Sequence, residues 1–162
     1  MEGESGQLEQ EFRSHPPEST DADEPPCREP VTIGVTEIGL ERTPCFGFCP
    51  TYTVLFRVDG TAEYWGQGNV PRVGHYRGKL DIPSFVELAA LALDIGFMDQ
   101  FEADYGCLVT DNPTVFVLVA SGQGRKIIRH YAPKHSGPLR LIWFERWIDV
   151  YADRIKWERV KP

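Results

Sequence analysis

The sequence predicts an α+β fold, with two helices packed on a mainly antiparallel sheet of about six strands in the order β-β-β-β-α-β-β-α. Two hairpin signals indicate the antiparallel pairing. Asp-Gly at 59–60 separates the alternating runs TYTVLFRV and TAEYWG, and Gly-Gln-Gly at 122–124 separates TVFVLVAS from RKIIRHYA. Apolar residues three and four apart over 82–95 and 138–155 predict the two helices.

The strands follow from alternating, β-branched runs between turn residues. VTIGVTEI predicts the first strand, and a short run after the Gly- and Pro-containing connection at 66–71 predicts the fourth. The predicted strands cover about 31–38, 51–58, 61–66, 73–78, 114–121 and 125–132.

The first helix has signals at both ends. Asp81 is the expected N-cap, Pro83 lies in the first turn where its missing N–H is harmless, and Gly96 supplies the stop. The apolar face comprises Phe85, Leu88, Ala92 and Ile95.

The second helix is predicted to start at Pro138 and to continue to about Ile155. Its apolar positions cover a wide sector, so we expect heavy burial and a cost of roughly 3–5 kcal/mol for Trp147→Ala. These positions are Leu139, Trp143, Trp147, Val150 and Tyr151, widened by Phe144, Ile148 and Ile155.

The charge of the chain is concentrated at its N-terminus. Residues 1–30 hold nine acidic and two basic side chains, five prolines and one aromatic residue, which predicts a disordered tail before a single domain over 31–158. The remaining 132 residues have equal numbers of acidic and basic side chains. Without a basic stripe, nucleic-acid binding is not expected.

Neither a transmembrane segment nor a signal peptide is evident in the sequence. No apolar run approaches the roughly 20 residues needed to span a bilayer. The four cysteines are too few for a disulfide scaffold in a chain of 162 residues. We therefore expect a soluble, cytoplasmic protein.

The stretch RTPCFGFCPTY at 42–52 contains the main candidate for chemistry. Three residues separate Cys45 from Cys49, whereas redox enzymes and zinc ribbons prefer two. Three readings remain open: a structural turn with packed thiols or a disulfide, a reversible thiol switch, and a metal-binding or nucleophilic site. The two cysteines are expected to meet across a turn in which Gly47 adopts an unusual backbone angle and Pro50 starts the next strand.

The long connection at 97–113 is the second candidate region. It holds Cys107, Asp111 and three further acidic residues, and long loops in small domains are often functional. We expect Arg42 to pair with Asp111 or another carboxylate of this loop. At least one ring of Phe46 and Phe48 is expected to pack on the sheet or a helix.

The pattern R-x-x-C-x-G-x-C-P-x-Y resembles the opening motif of a bacterial family of uncharacterised domains, domain of unknown function 6438. The resemblance continues through Gly60, Tyr64, the helix ending near Phe97 and Thr110-Asp111-x-Pro113, and covers roughly 31–158. It implies no activity. Family members often carry an export or lipoprotein signal, which is not seen in this sequence. The motif is formed by Arg42, Cys45, Gly47, Cys49, Pro50 and Tyr52.

These observations favour a small non-enzymatic module, binding or structural, with a turn held by the cysteine pair. The alternative is a thiol-based redox or metal-dependent activity centred on Cys45, Cys49 and the acidic loop. No cofactor or resident metal is expected, and a protein partner is possible. The candidate site residues are Cys45, Cys49, Arg42, Gly47, Pro50, Tyr52, Asp111 and Cys107.

Overall fold

The computed structural model describes residues 34–162, so the predicted tail of residues 1–30 lies outside the described range. The described residues form one eight-stranded sheet in the order β5-β7-β6-β1-β2-β3-β4-β8. All neighbouring strands are antiparallel except β5 and β7. The strands are β1 (Val35–Arg42), β2 (Thr51–Arg57), β3 (Thr61–Gly68), β4 (Gly74–Lys79), β5 (Asp104–Tyr105), β6 (Thr114–Ser121), β7 (Gly124–Tyr131) and β8 (Glu158–Arg159), and the helices are α1 (Ile82–Asp94) and α2 (Leu139–Arg154).

The α+β class and the mostly antiparallel sheet are confirmed, but the predicted strand number and order are wrong. The sheet has eight strands instead of six, in the order β-β-β-β-α-β-β-β-α-β. The additional strands, β5 and β8, contain two residues each and extend the sheet at its two edges. So short a strand shows no alternation in sequence, because its pairing partner alone defines it.

The first strand begins and ends later than predicted. β1 covers Val35–Arg42, while the prediction was 31–38, of which 31–33 lie outside the described residues. Gly39 and the charged pair at 41–42 end the apolar alternation, but β1 continues because it pairs with both β2 and β6 through Arg42. A Cβ atom on Gly39 would lie 3.2 Å from Cδ1 of Leu55, so a small residue fits this crowded position.

Helix α1 forms as its end signals predict. The Asp81 side chain accepts a hydrogen bond from the Ser84 backbone N–H at 3.1 Å, and Gly96 has a φ of 73° just after the helix. Phe85 and Leu88 are fully buried. These residues pack with alternate residues of the central strands into one core that α2 completes.

Helix α2 buries only part of the apolar face that the sequence predicts. Its core side includes Phe144 and Ile148, whereas four of the residues predicted to be buried are exposed. The helix has apolar residues on two opposite sides, and only the packing against the sheet and α1 selects between them. The exposed residues are Leu139, Trp143, Trp147 and Val150, with 72%, 65%, 41% and 37% of their surface accessible.

Within residues 34–162, neither helix is long and apolar enough to cross a membrane.

Candidate functional site: a disulfide loop beside two cavities

The connection between β1 and β2 is closed by a disulfide. Cys45 and Cys49 are bonded through their sulfur atoms, and their Cα atoms lie 5.6 Å apart. At the centre of this disulfide loop (residues 45–49), Gly47 has a φ of 156° and its N–H donates to the Cys45 carbonyl at 3.0 Å. Pro50 immediately precedes β2. The pair therefore forms a short covalent ring at one end of the central strands.

The two aromatic rings of the disulfide loop point into solvent. Phe46 and Phe48 are each 93% exposed. The expectation that at least one ring packs on the sheet or a helix is wrong. The disulfide joins the loop to itself, and the closed five-residue loop projects beyond the ends of β1 and β2. The two phenylalanine side chains therefore do not reach the core.

Arg42 pairs with helix α2 and not with the acidic loop. Its Nη2 lies 2.5 Å from Oδ2 of Asp149, and its Nε donates to Oδ1 at 3.2 Å. Tyr52, directly opposite Arg42 in the β1–β2 register, donates its hydroxyl to the same Oδ1. The predicted pairing of Arg42 with Asp111 is therefore wrong, because α2 places a closer carboxylate over the strand ends.

The partners of Asp149 only partly offset the cost of burying its negative charge. Burial raises the pKa of Asp149 above its ordinary value, and the nearby Asp153 adds to the rise. The hydrogen bond and positive charge of Arg42 act in the opposite direction and lower that pKa. Removing Arg42 would leave a carboxylate that is poorly solvated.

A cavity of about 400 Å³ opens beside the disulfide loop. It is the larger of two cavities next to this loop and is called the larger cavity below. It brings together four of the sequence-predicted site residues, Arg42, Cys49, Pro50 and Asp111. Asp111 has a positive φ of 58°, which fixes the turn on that side of the cavity. The remaining lining residues are Phe48, Asn112, Pro113, Val115, Pro133 and Lys134.

Backbone and hydroxyl hydrogen bonds hold the two walls of this larger cavity. Thr43 donates its N–H to the Thr114 carbonyl at 3.0 Å, and Thr114 donates its own N–H to the Thr43 hydroxyl at 2.9 Å. The Ala132 N–H donates to the Pro113 carbonyl at 3.0 Å. The ends of β1, β6 and β7 are thus joined, and three loops of distant sequence meet around one opening.

A smaller cavity of about 270 Å³ shares Arg42 and Pro50 with the larger one and also contains Tyr52. The Arg72 guanidinium carbon lies 5.5 Å from the centre of the Tyr64 ring in this cavity. The Nε atom of Arg72 is buried and has no hydrogen-bond partner among the described residues.

One predicted site residue, Cys107, is not part of this arrangement. Cys107 is a partly exposed free thiol that lines neither cavity. Among residues 34–162, no group of three or more His, Cys, Asp or Glu side chains is arranged to hold a metal ion.

Sequence reasoning missed Asp149, Lys134 and Arg72. Asp149 had one usable signal, since it is a charged residue between Ile148 and Val150 in an otherwise apolar part of α2. Lys134 and Arg72 lie in connections, and their positions depend on contacts between loops that local sequence does not encode.

Comparison with known proteins identifies the family. The sequence model of the family described as Domain of unknown function (DUF6438) matches residues 36–152, which include the disulfide loop, β2 and most of β1 and helix α2. No curated protein and no solved structure matches the chain. The chain belongs to the DUF6438 family.

Proposed function

We propose that the protein is a binding module that recognises a protein partner through the disulfide loop and the larger cavity beside it. The observation that carries this proposal is the 93% exposure of both Phe46 and Phe48. Exposed aromatic residues grouped beside a concave surface are typical of binding sites, because their burial on association contributes much of the affinity.

The disulfide loop is suited to this role because it is held in shape before a partner arrives. Its disulfide and the special backbone angle of Gly47 restrict the conformations available to the two rings. A loop that is already ordered loses less conformational entropy when it binds. Aromatic side chains on such a loop therefore bind more tightly than on a flexible one.

The larger cavity supplies the second half of the proposed site. Its volume of about 400 Å³ lies within the range of small ligand sites, roughly 300–1,000 Å³. Pro50, Pro113 and Pro133 contribute apolar walls, while Asn112 and Lys134 contribute polar groups. We expect an apolar side chain of the partner to enter, with its neighbouring backbone carbonyls accepting hydrogen bonds from Asn112 and Lys134.

The alternative function, a thiol-based redox or metal-dependent activity centred on Cys45 and Cys49, stays a prediction. The cytoplasmic location also stays a prediction, and the disulfide supports an oxidising compartment instead. Rapid alkylation of the protein on cell lysis, followed by mass spectrometry with and without a reductant, gives the thiol count in the cell. A persistent disulfide supports the binding module, whereas cycling between thiol and disulfide supports the redox alternative.

The binding proposal is tested by photo-crosslinking in the native cells. A photoreactive benzoylphenylalanine replaces Phe48 in one sample and Ile127, which is 47% exposed on β7, in the control sample. We expect a discrete crosslinked protein from position 48 that is missing from position 127. Equal crosslinking at both positions, or none at position 48, contradicts the proposal.

A further inference from the structure

The exposed side of α2 forms a second apolar surface, separate from the disulfide loop. Here a shallow groove of about 480 Å³ contains two tryptophans, Trp143 and Trp147, that are 65% and 41% exposed. Large exposed aromatic residues in one groove indicate an interaction surface. We call this surface the α2 groove; its residues are Leu139, Ile142, Trp143, Arg146, Trp147 and Val150.

Arg146 determines the chemistry of the occupant. It lies in the α2 groove near the middle of the apolar residues, and Arg140 and Arg154 are exposed on the same helix. Asp153 is exposed as well, but Asp149 does not line the groove and is paired with Arg42. The groove therefore favours an occupant that carries both apolar and acidic side chains.

A second copy of the chain fits this surface poorly. If two α2 grooves packed against each other about a two-fold axis, the same residues would approach from both sides. The two Arg146 side chains would then lie near each other at the centre of an apolar contact, where like charges are strongly unfavourable.

The chain itself contains an acidic segment with apolar anchors. Residues 1–30 carry nine acidic and two basic side chains, and residues 7–13 read QLEQEFR. Leu8 and Phe12 are four apart, the spacing that places two side chains on one face of a helix, with Glu9 and Glu11 beside them. Phe12 is also the single aromatic residue among the first 30.

The intervening chain is long enough for this segment to reach the α2 groove. Phe12 precedes Val35, the first residue of β1, by 23 positions, a stretch that can span up to about 75 Å. Helix α2, with 16 residues, is only about 24 Å long.

We propose that residues 7–13 of the same chain bind in the α2 groove. Leu8 and Phe12 contact Trp143 and Trp147, and the neighbouring glutamates lie close to Arg146. The segment then covers the exposed tryptophans, and any partner of this surface must displace it.

Paramagnetic labelling of the full chain tests this inference. A nitroxide is attached to Ser14→Cys in a Cys27→Ser, Cys107→Ser background, and the indole N–H signals are compared before and after ascorbate reduction. We expect the label to remove most of the intensity at Trp143 and Trp147, and little at Trp65 on β3. Loss at Trp65 comparable to that at Trp143 and Trp147, or no loss at the two tryptophans in the groove, overturns the proposal.

Matched variants and one mixing experiment serve as controls. The Trp143 and Trp147 signals should be restored by Leu8→Ser with Phe12→Ser, and equally by Arg146→Glu alone. When Arg146→Glu is combined with Glu9→Lys and Glu11→Lys, the opposite charges face each other again and the label should again remove both signals. A mixture of spin-labelled unenriched chains with unlabelled ¹⁵N-enriched chains should show no loss. Loss in that mixture would assign the groove to a second copy and overturn binding within one chain.

Discussion

The Nδ1 atom of His130 lies 2.5 Å from Oε1 of Glu145, and the two side chains are only 0% and 2% exposed. The other ring nitrogen, Nε2, lies 2.7 Å from the carbonyl oxygen of Ser136. Because both nitrogens face acceptors, the imidazole donates from both and carries a positive charge. This pair connects β7 to α2 and to the turn that precedes α2, close to one wall of the larger cavity.

The first prediction concerns the pH dependence of stability. Burial lowers the pKa of His130, but the hydrogen bond and charge of Glu145, helped by the Ser136 carbonyl, outweigh it and raise that pKa above its ordinary value. A raised folded-state pKa adds stability that is complete below the unfolded value of about 6.5 and is lost as pH rises through the folded value. We expect this loss in urea-unfolding free energies measured from pH 6 upward in steps of about one unit.

Glu145→Gln is the decisive variant for this pH dependence, because it removes the charge that raises the pKa of His130. This variant should lower the free energy of unfolding at pH 6 and should weaken its decrease with rising pH. His75→Asn should leave that decrease in place. An unchanged pH profile in Glu145→Gln would show that the buried pair is not ionised.

The second prediction concerns the ion pair at the base of the cavities. Arg42→Met leaves Asp149 partly buried without its cation, which should lower the free energy of unfolding by about 2–3 kcal/mol. The control, Arg57→Met, leaves Glu63 with two further partners, His75 and Arg77, and should cost about 0–1 kcal/mol. Equal costs for the two variants in urea unfolding would mean that Asp149 finds another partner or enough water.

The third prediction compares the two sides of α2. Phe144→Ala removes a fully buried ring and should cost about 3–5 kcal/mol, while Trp147→Ala removes one that is 41% exposed and should cost only about 1 kcal/mol. Thermal or urea unfolding of both variants measures the difference. A larger cost for Trp147→Ala would mean that the side of α2 carrying Trp143 and Trp147 is the buried one.

The fourth prediction concerns the disulfide. Replacing both cysteines, Cys45→Ser with Cys49→Ser, opens a five-residue ring and should lower the free energy of unfolding by roughly 2 kcal/mol in the chain-entropy model. Cys107→Ser, which touches no disulfide, is the matched control and should have little effect. A loss of folding in the double variant would give the disulfide a larger structural role than closing its own loop.

Local chemistry made much of the fold predictable from sequence. The Asp81 cap, the stop at Gly96 and the hairpin turn each depend on residues within one turn of each other. The cap and the stop form at the expected positions, and the hairpin turn covers 58–60, one residue more than 59–60. The meeting of Cys45 with Cys49 is local in the same way, because only three residues separate them.

Contacts between distant segments account for the features that sequence could not predict. Arg42 had several carboxylates available, and the placement of α2 selects Asp149, 107 residues away. The choice between the two apolar sides of α2 depends equally on the sheet and on α1. The rings of Phe46 and Phe48 look like core residues in sequence, and only the projection of their loop shows otherwise.

The central claim is that the disulfide loop binds a protein partner with its two phenylalanines. The most direct measurement is the dissociation constant for the protein crosslinked at position 48, compared between wild type, Phe46→Ser with Phe48→Ser, and the control Val73→Ser, which changes a residue 55% exposed between β3 and β4. We predict about 100-fold weaker binding for the double variant with an unchanged melting temperature, and wild-type affinity for the control. Wild-type affinity in the double variant would contradict the claim.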